Sequence, residues 1–170
     1  MSTPTHHEHK DHAPSSIGCM VITCSDTRTQ ESDTSGQLIR TLLEARGHTV
    51  VGYHLVKDDP AQIQLWIARG VIHDAVQAII INGGTGISRR DSTFEAVDEM
   101  LEKRLDGFGE IFRLLTYQDI GSPAIMSRAT AGVIKGRVLF STPGSENAVR
   151  LAMEKLILPE LGHLVKELSK

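Results

Sequence analysis

The sequence predicts a three-layer α/β/α sandwich with a mostly parallel sheet and one antiparallel hairpin. Three observations carry that prediction. Short apolar runs of strand length alternate with segments of helical periodicity, the pattern of an α/β protein. Ile79-Ile80-Ile81 is apolar on both faces, which suits a strand in the middle of a parallel sheet. Lys135-Gly136 sits between two short strand-like segments, Val133-Ile134 and Arg137 to Phe140, as a tight hairpin turn would.

Each element follows in order. Ile17 to Thr23 is a continuous apolar run and reads as the first strand. Leu38, Ile39, Leu42 and Leu43 recur at helical spacing, with Asp33 as the cap and a stop near Gly47. Thr49 to Leu55 reads as the second strand. Asp59-Pro60 opens the second helix, with Asp59 as N-cap, Pro at the first helical position and Gln62 placed to close a capping box. Ile63, Trp66 and Ile67 give its buried face, and Val76 to Ile81 is the third strand. Ser92-Thr93-Phe94-Glu95 is a capping-box pattern opening a helix with Phe94, Val97 and Leu101 on one face. A short helix is expected near Gly109–Leu115. The final helical region starts after Ser145 and is divided at Pro159, with Leu161, Leu164 and Leu168 as its last apolar stripe.

The 170 residues are expected to form one domain over residues 17–170, after a disordered tail at 1–16 that carries His6, His7, His9 and His12. A net charge of −3 gives no support for nucleic-acid or membrane binding by bulk electrostatics, so an anionic ligand needs a local positive site. Cys19 and Cys24 point to opposite faces of one strand and read as reduced thiols of a cytoplasmic protein. No apolar run reaches the length of a signal peptide or of a membrane span. His48, His54, His73 and His163 are scattered and form no ligand set.

In an open α/β sheet, ligands bind beyond the carboxyl ends of the strands. There the sequence places Ser25, Asp26, Thr27 and Arg28 after the first strand and Lys57, Asp58 and Asp59 after the second. Asn82-Gly83-Gly84-Thr85-Gly86 follows the third, and Thr142-Pro143-Gly144-Ser145 follows the hairpin. The glycine run lets backbone N–H groups approach an anion, or simply ends a strand in a turn. Ser92 fits the helix cap, which leaves Asp91 free for a ligand or metal ion. Asp58 is freer than the capping Asp59 and suits Mg²⁺ better. Arg89, Arg90, Arg113 and Arg128 are candidates to neutralise phosphate or are solvated surface charges. Cys24, with no base assigned to it, reads as a small core residue.

Asn82-Gly-Gly-Thr-Gly-Ile-Ser-Arg-Arg-Asp91-Ser-Thr-Phe-Glu95-Ala resembles the signature T-G-G-T-G-x-x-x-R-D-x-T-x-E-A of the MoaB/Mog family of molybdopterin adenylyltransferases. Ser25-Asp-Thr-Arg28, Asp33-Thr-Ser-Gly36, Gly107-Phe-Gly-Glu-Ile-Phe-Arg113, Ser127-Arg-Ala-Thr-Ala-Gly132 and Pro143-Gly-Ser145 match in the same order, over residues 17 to 168 and closer to the MoaB branch. Asn82 stands where the family usually has Thr, and Phe94 where Pro is frequent. The resemblance implies ATP-dependent adenylylation of molybdopterin, with pyrophosphate released, in trimers or pairs of trimers. It implies that Asp58 and Asp91 are the essential acids, holding Mg²⁺ directly or through water. It implies that Ser25, Asp26, Gly83, Gly84, Thr85, Gly86, Ser127, Arg128, Pro143, Gly144 and Ser145 bind the substrates, ATP and molybdopterin. Rival readings are a non-catalytic molybdopterin carrier and a CinA-like nucleotide pyrophosphatase, although the latter usually shows G-G-L-G where this chain has Gly83-Gly84-Thr85-Gly86.

Overall fold

A computed structural model describes Pro14 and residues 16–89 and 91–170. The expected tail, apart from Pro14 and Ser16, and Arg90 lie outside the described residues. The elements are β1 (Gly18–Cys24), α1 (Thr34–Ala45), β2 (Thr49–Val56), α2 (Pro60–Ile72), β3 (Ala78–Asn82), α3 (Thr93–Asp98), β4 (Lys103–Arg104), α4 (Asp106–Ile120), β5 (Thr130–Ile134), β6 (Arg137–Thr142), α5 (Glu146–Ala152) and α6 (Leu158–Leu168). A 3₁₀ turn, Ser122–Met126, follows α4, and a π turn, Met153–Ile157, joins α5 to α6.

The six strands form one sheet in the order β2-β1-β3-β6-β5-β4. β1 pairs in parallel with β2 and β3, and β3 with β6, whereas β5 is antiparallel to both β6 and β4. The mostly parallel sheet with its hairpin is therefore present. Every residue of β3 is buried, as its uninterrupted apolar run requires of a strand covered on both faces. Alternate residues divide between two cores. Cys19, Val21 and Ile80 face α1, α4, α5 and α6; Met20, Ile22, Cys24, Ile79 and Ile81 face α2 and α3. The hairpin turns at Lys135 (φ 43°) and Gly136 (φ 75°), the two left-handed residues that a two-residue turn of this hand needs.

Three local expectations differ from the structure, and one strand was not foreseen. α4 runs from Asp106 to Ile120, longer than the expected Gly109–Leu115. Gly109 does not break it; a Cβ there would stand 2.7 Å from the Ala129 carbonyl oxygen, so glycine permits close packing on β5. α3 stops at Asp98, and Leu101 packs beyond it rather than on the helix face. Pro159 does not divide the last helical region. The N–H of Leu158 reaches back to the Met153 carbonyl, and this widened turn accommodates the proline one residue later. β4, two exposed basic residues at the sheet edge, has no apolar signature by which to be read.

Ile80 is fully buried in the middle of the sheet. Ile80→Ala removes three carbons from a packed core and should destabilise the fold by about 3 kcal/mol. Urea denaturation checks this; a loss under about 1 kcal/mol would mean the site collapses around the cavity.

Candidate functional site

The chain leaves β1 first towards β2 and then crosses back to β3 on the other side, so the topological switch point lies between the ends of β1 and β3. Asn82 closes β3 there. Its fully buried carboxamide donates to Thr23 Oγ1 at 2.8 Å and so ties β3 to β1. Gly83 follows with φ +103°, and a Cβ on it would lie 2.1 Å from the Cys24 carbonyl oxygen, so no other residue fits. Gly144, from the loop after β6, would bring its own Cβ 3.0 Å from the Gly83 Cα. The ends of three strands thus meet at a point without side chains.

A cavity of about 590 Å³ opens at this point. One wall is Ser25, Thr27, Arg28, the run Gly83 to Gly86, Asp91 and the turn Pro143 to Ser145. The opposite wall is Phe112, Thr116, Asp119 and Ile120 of α4, with Pro123, Met126 and Ser127. The Ser127 hydroxyl is buried and makes no hydrogen bond. Ser25 Oγ accepts from the amides of Thr27 and Arg28, which folds the first loop over the cavity. Ser145 Oγ accepts from Ala148 N and caps α5.

Ser92 does not cap α3 with its own side chain. Instead Asp58 Oδ1 accepts from Ser92 N at 3.2 Å, Ser92 Oγ at 3.0 Å and Thr93 Oγ1 at 3.3 Å. Asp58 therefore caps α3 from another loop and lies under the glycine run, since a Cβ on Gly84 would fall 2.3 Å from Asp58 Oδ2. Asp59 caps α2 by accepting from Gln62 N. Asp26 Oδ1 accepts from Asp58 N, and Lys57 Nζ donates to the Asp26 carbonyl, which joins the first loop to the second away from the cavity wall. Asp91 reaches the cavity; its Oδ2 accepts from Ser88 N at 3.0 Å, and a Cβ on Gly86 would lie 2.6 Å from the same oxygen. Asp58 thus lies against Gly84 and Asp91 against Gly86, and of the two only Asp91 lines the cavity. Among the described residues no group of three or more metal-ligating side chains forms.

The arginines separate sharply. Arg128 Nε donates to the Thr85 carbonyl at 3.0 Å, its Nη atoms to the Gly86 carbonyl and to Glu95, and its guanidinium covers the Phe94 ring at 5.0 Å. It holds the glycine run from behind and does not line the cavity. The hydrogen bond from Arg128 holds the Glu95 carboxyl below its usual range. Arg89 is exposed, and Arg113 lines a separate pocket of about 120 Å³. Arg28 alone among the described cationic side chains faces the larger cavity. It was not among the phosphate candidates read from sequence, although its place directly after β1 marked it. The α4 wall also escaped that reading, because the helix was expected to be short.

The fold and this pocket define an open α/β protein with a switch-point cavity built from glycine loops, hydroxyls, two carboxylates, one guanidinium and a wall from α4. Residues 20–163 match the family described as "Probable molybdopterin binding domain", and the chain belongs to that family. It is 54% identical to molybdenum cofactor biosynthesis protein B of Bacillus subtilis (strain 168) over 164 residues, 96% of each chain. A crystal structure of a molybdenum cofactor biosynthesis protein B superposes with a TM-score of 0.90 at 52% identity, over 93% of this chain and 99% of that one. The tungsten cofactor synthesizing protein MoaB from Pyrococcus furiosus superposes with a TM-score of 0.81 at 38% identity, over 93% of this chain and all of that one, 100%. No helix among the described residues is long and apolar enough to cross a membrane.

Cys24 borders the cavity, but burial pushes its thiol up to about 12, and burial does the same to Cys19. Both are held as thiols at neutral pH and are poor nucleophiles. Iodoacetamide at pH 8 should therefore label the folded protein at least about 100-fold more slowly than the urea-unfolded chain. Rapid labelling of Cys24 in the folded protein would show an accessible thiolate and a different chemistry at this wall.

Proposed function

We propose that the protein acts in molybdenum cofactor biosynthesis by transferring the adenylyl group of ATP to molybdopterin. The observation that carries this reading is the switch-point cavity, where backbone glycines, hydroxyls and Arg28 converge beside Asp91. In the reaction, an oxygen of molybdopterin's terminal phosphate bonds to the α-phosphorus of ATP. The bond from that phosphorus to the bridging oxygen breaks, and pyrophosphate leaves. A phosphate monoester has a second pKa of about 6, so the nucleophile is already ionised and no general base is needed. The Cys24 thiol, held protonated, has no part in it.

The work left to the chain is positioning two anions against their repulsion. Gly83 to Gly86 let backbone come within reach of phosphoryl oxygens, and Arg28 balances charge at the cavity wall. Asp91 keeps Oδ1, and Asp58 keeps Oδ2, without a hydrogen bond among the described residues, and hard carboxylate oxygens of this kind suit Mg²⁺. Asp91 at the cavity wall and Asp58 beneath the glycine run would hold the ion together with water or substrate phosphate, and it would supply charge neutralisation for the leaving pyrophosphate.

A non-catalytic molybdopterin carrier is the second reading. It is favoured by the three hydrogen bonds that Asp58 Oδ1 takes from α3, a structural task. Incubation with molybdopterin, ATP and Mg²⁺, followed by mass spectrometry, distinguishes the two. Adenylylated molybdopterin should appear with the wild-type protein, and Asp91→Asn should lower turnover at least about 100-fold while the protein stays folded. Binding of molybdopterin without product would establish the carrier, and full activity in Asp91→Asn would remove the metal role.

The same proposal includes self-association into trimers or pairs of trimers. Ile111, Leu114 and Tyr117 leave the outer side of α4 apolar and exposed, and exposed Ile125 together with Ile120 and Met126, which also line the cavity, extends the patch. A patch of this kind on a soluble protein calls for a partner surface, here a second copy. Leu114→Glu should shift the sedimentation coefficient to that of a monomer; an unchanged oligomer would place the interface elsewhere.

A further inference from the structure

We propose that Arg28 is the clamp for a phosphoryl group in the cavity and that buried Asp33 is the residue that positions it. The substrate class rests on the function proposed above; the clamp itself rests on geometry. Arg28 Nη1 donates to Asp33 Oδ1 at 3.2 Å and Nη2 donates to the Gly144 carbonyl at 2.8 Å. A guanidinium has five N–H donors in a planar fork, so these two bonds leave three unspent. The Arg28 side chain is 29% exposed, and its residue lines the cavity, so the remaining donors are within reach of a ligand there. Planar forks match phosphoryl oxygens in a way an ammonium does not.

Asp33 has more partners than a helix cap needs. Asp59, which caps α2, is exposed and accepts one amide. Asp33 is completely buried, and it accepts from Gly36 N at 3.0 Å, from Arg28 and from the Tyr53 hydroxyl at 2.6 Å. A buried carboxylate is tolerated only when its oxygens are saturated, and here the donors come from the first loop, α1 and β2. That fixes the carboxylate, and the fixed carboxylate orients the guanidinium. The Gly144 carbonyl also accepts from Ser35 Oγ at 2.8 Å, so the loop that Arg28 reaches is itself held against α1. Burial and the Asp33 carboxylate together push the Tyr53 phenol far above its usual range, and it stays a donor throughout.

The probe is inorganic pyrophosphate, titrated by calorimetry into the full chain and its variants, beside KM values for ATP and molybdopterin and the thermal midpoint. Arg28→Gln should weaken pyrophosphate binding at least about tenfold with the fold intact, and Arg28→Lys should restore less than half of that loss. Asp33→Asn keeps an oxygen to cap α1, so it should retain the fold yet raise KM with little change in kcat. If Asp33→Asn does not fold, Tyr53→Phe, which deletes a single hydroxyl, takes its place with the same expectation. A KM raised for ATP alone assigns the clamp to the triphosphate; a KM raised for molybdopterin alone assigns it to the terminal phosphate. A folded Arg28→Gln with unchanged pyrophosphate affinity, or a wild-type protein that binds no pyrophosphate, would overturn the clamp. An unchanged KM in Asp33→Asn, or in Tyr53→Phe where it stands in, would overturn the positioning role. Pyrophosphate bound through Arg28 by a protein that makes no adenylylated product would keep the clamp and reject the enzyme.

Discussion

The site depends on one contact in which side chains are excluded. At Gly83 the backbone of the third strand's exit passes so close to the Cys24 carbonyl that a single methyl would collide with it. Gly144 presses on the same glycine from the loop after β6. Because β1, β3 and β6 are neighbours in the sheet, their ends converge, and bulk at that point would drive the three loops apart. The carboxamide of Asn82, bonded to Thr23 one layer deeper, holds β1 and β3 in register up to the last residue before the contact. The cavity exists because the sheet switches direction there and because glycine lets the strand ends close beneath it.

Around that contact, charge is distributed locally rather than globally. The net charge of −3 says nothing of the cavity, where Arg28 stands with Asp91 and Asp119 among glycine backbone and hydroxyls. Four charged groups in and around the cavity are anchored within the chain. Arg28 is bound to Asp33 and Gly144, Asp58 to the start of α3, Asp91 to Ser88, and Arg128 to the glycine run and Glu95. Prior anchoring lowers the reorganisation required when two anions are brought together, which is the chief difficulty of transfer between phosphates.

Much of this was legible in the residues. The strands were, because β1 and β3 are unbroken apolar runs and a parallel sheet demands such runs. The edge that carries the cavity was legible too, because glycines and hydroxyls cluster after each strand. Polar side chains were harder to place, since a carboxylate's partner is set by tertiary geometry that spacing does not encode. Ser92 has the pattern of a cap, yet Asp58, 34 positions away, supplies the acceptor. Arg128 and Arg28 look alike in sequence, and only the positions of the Thr85, Gly86 and Gly144 carbonyls give them different tasks. β4 and the full length of α4 were lost because exposed basic residues and tolerated glycines mimic loop.

The grip of Arg128 has a consequence for direction. Trans peptide units carry their C=O and N–H on opposite sides, and no cis bond occurs among the described residues. When the carbonyls of Thr85 and Gly86 turn towards Arg128, the amide hydrogens of Gly86 and Ile87 are aimed the other way. Glycine-rich backbone would otherwise rotate through many orientations at little energetic penalty. The guanidinium thus acts as a compass for the peptide planes, fixing which pole of each dipole the loop presents without itself entering the cavity.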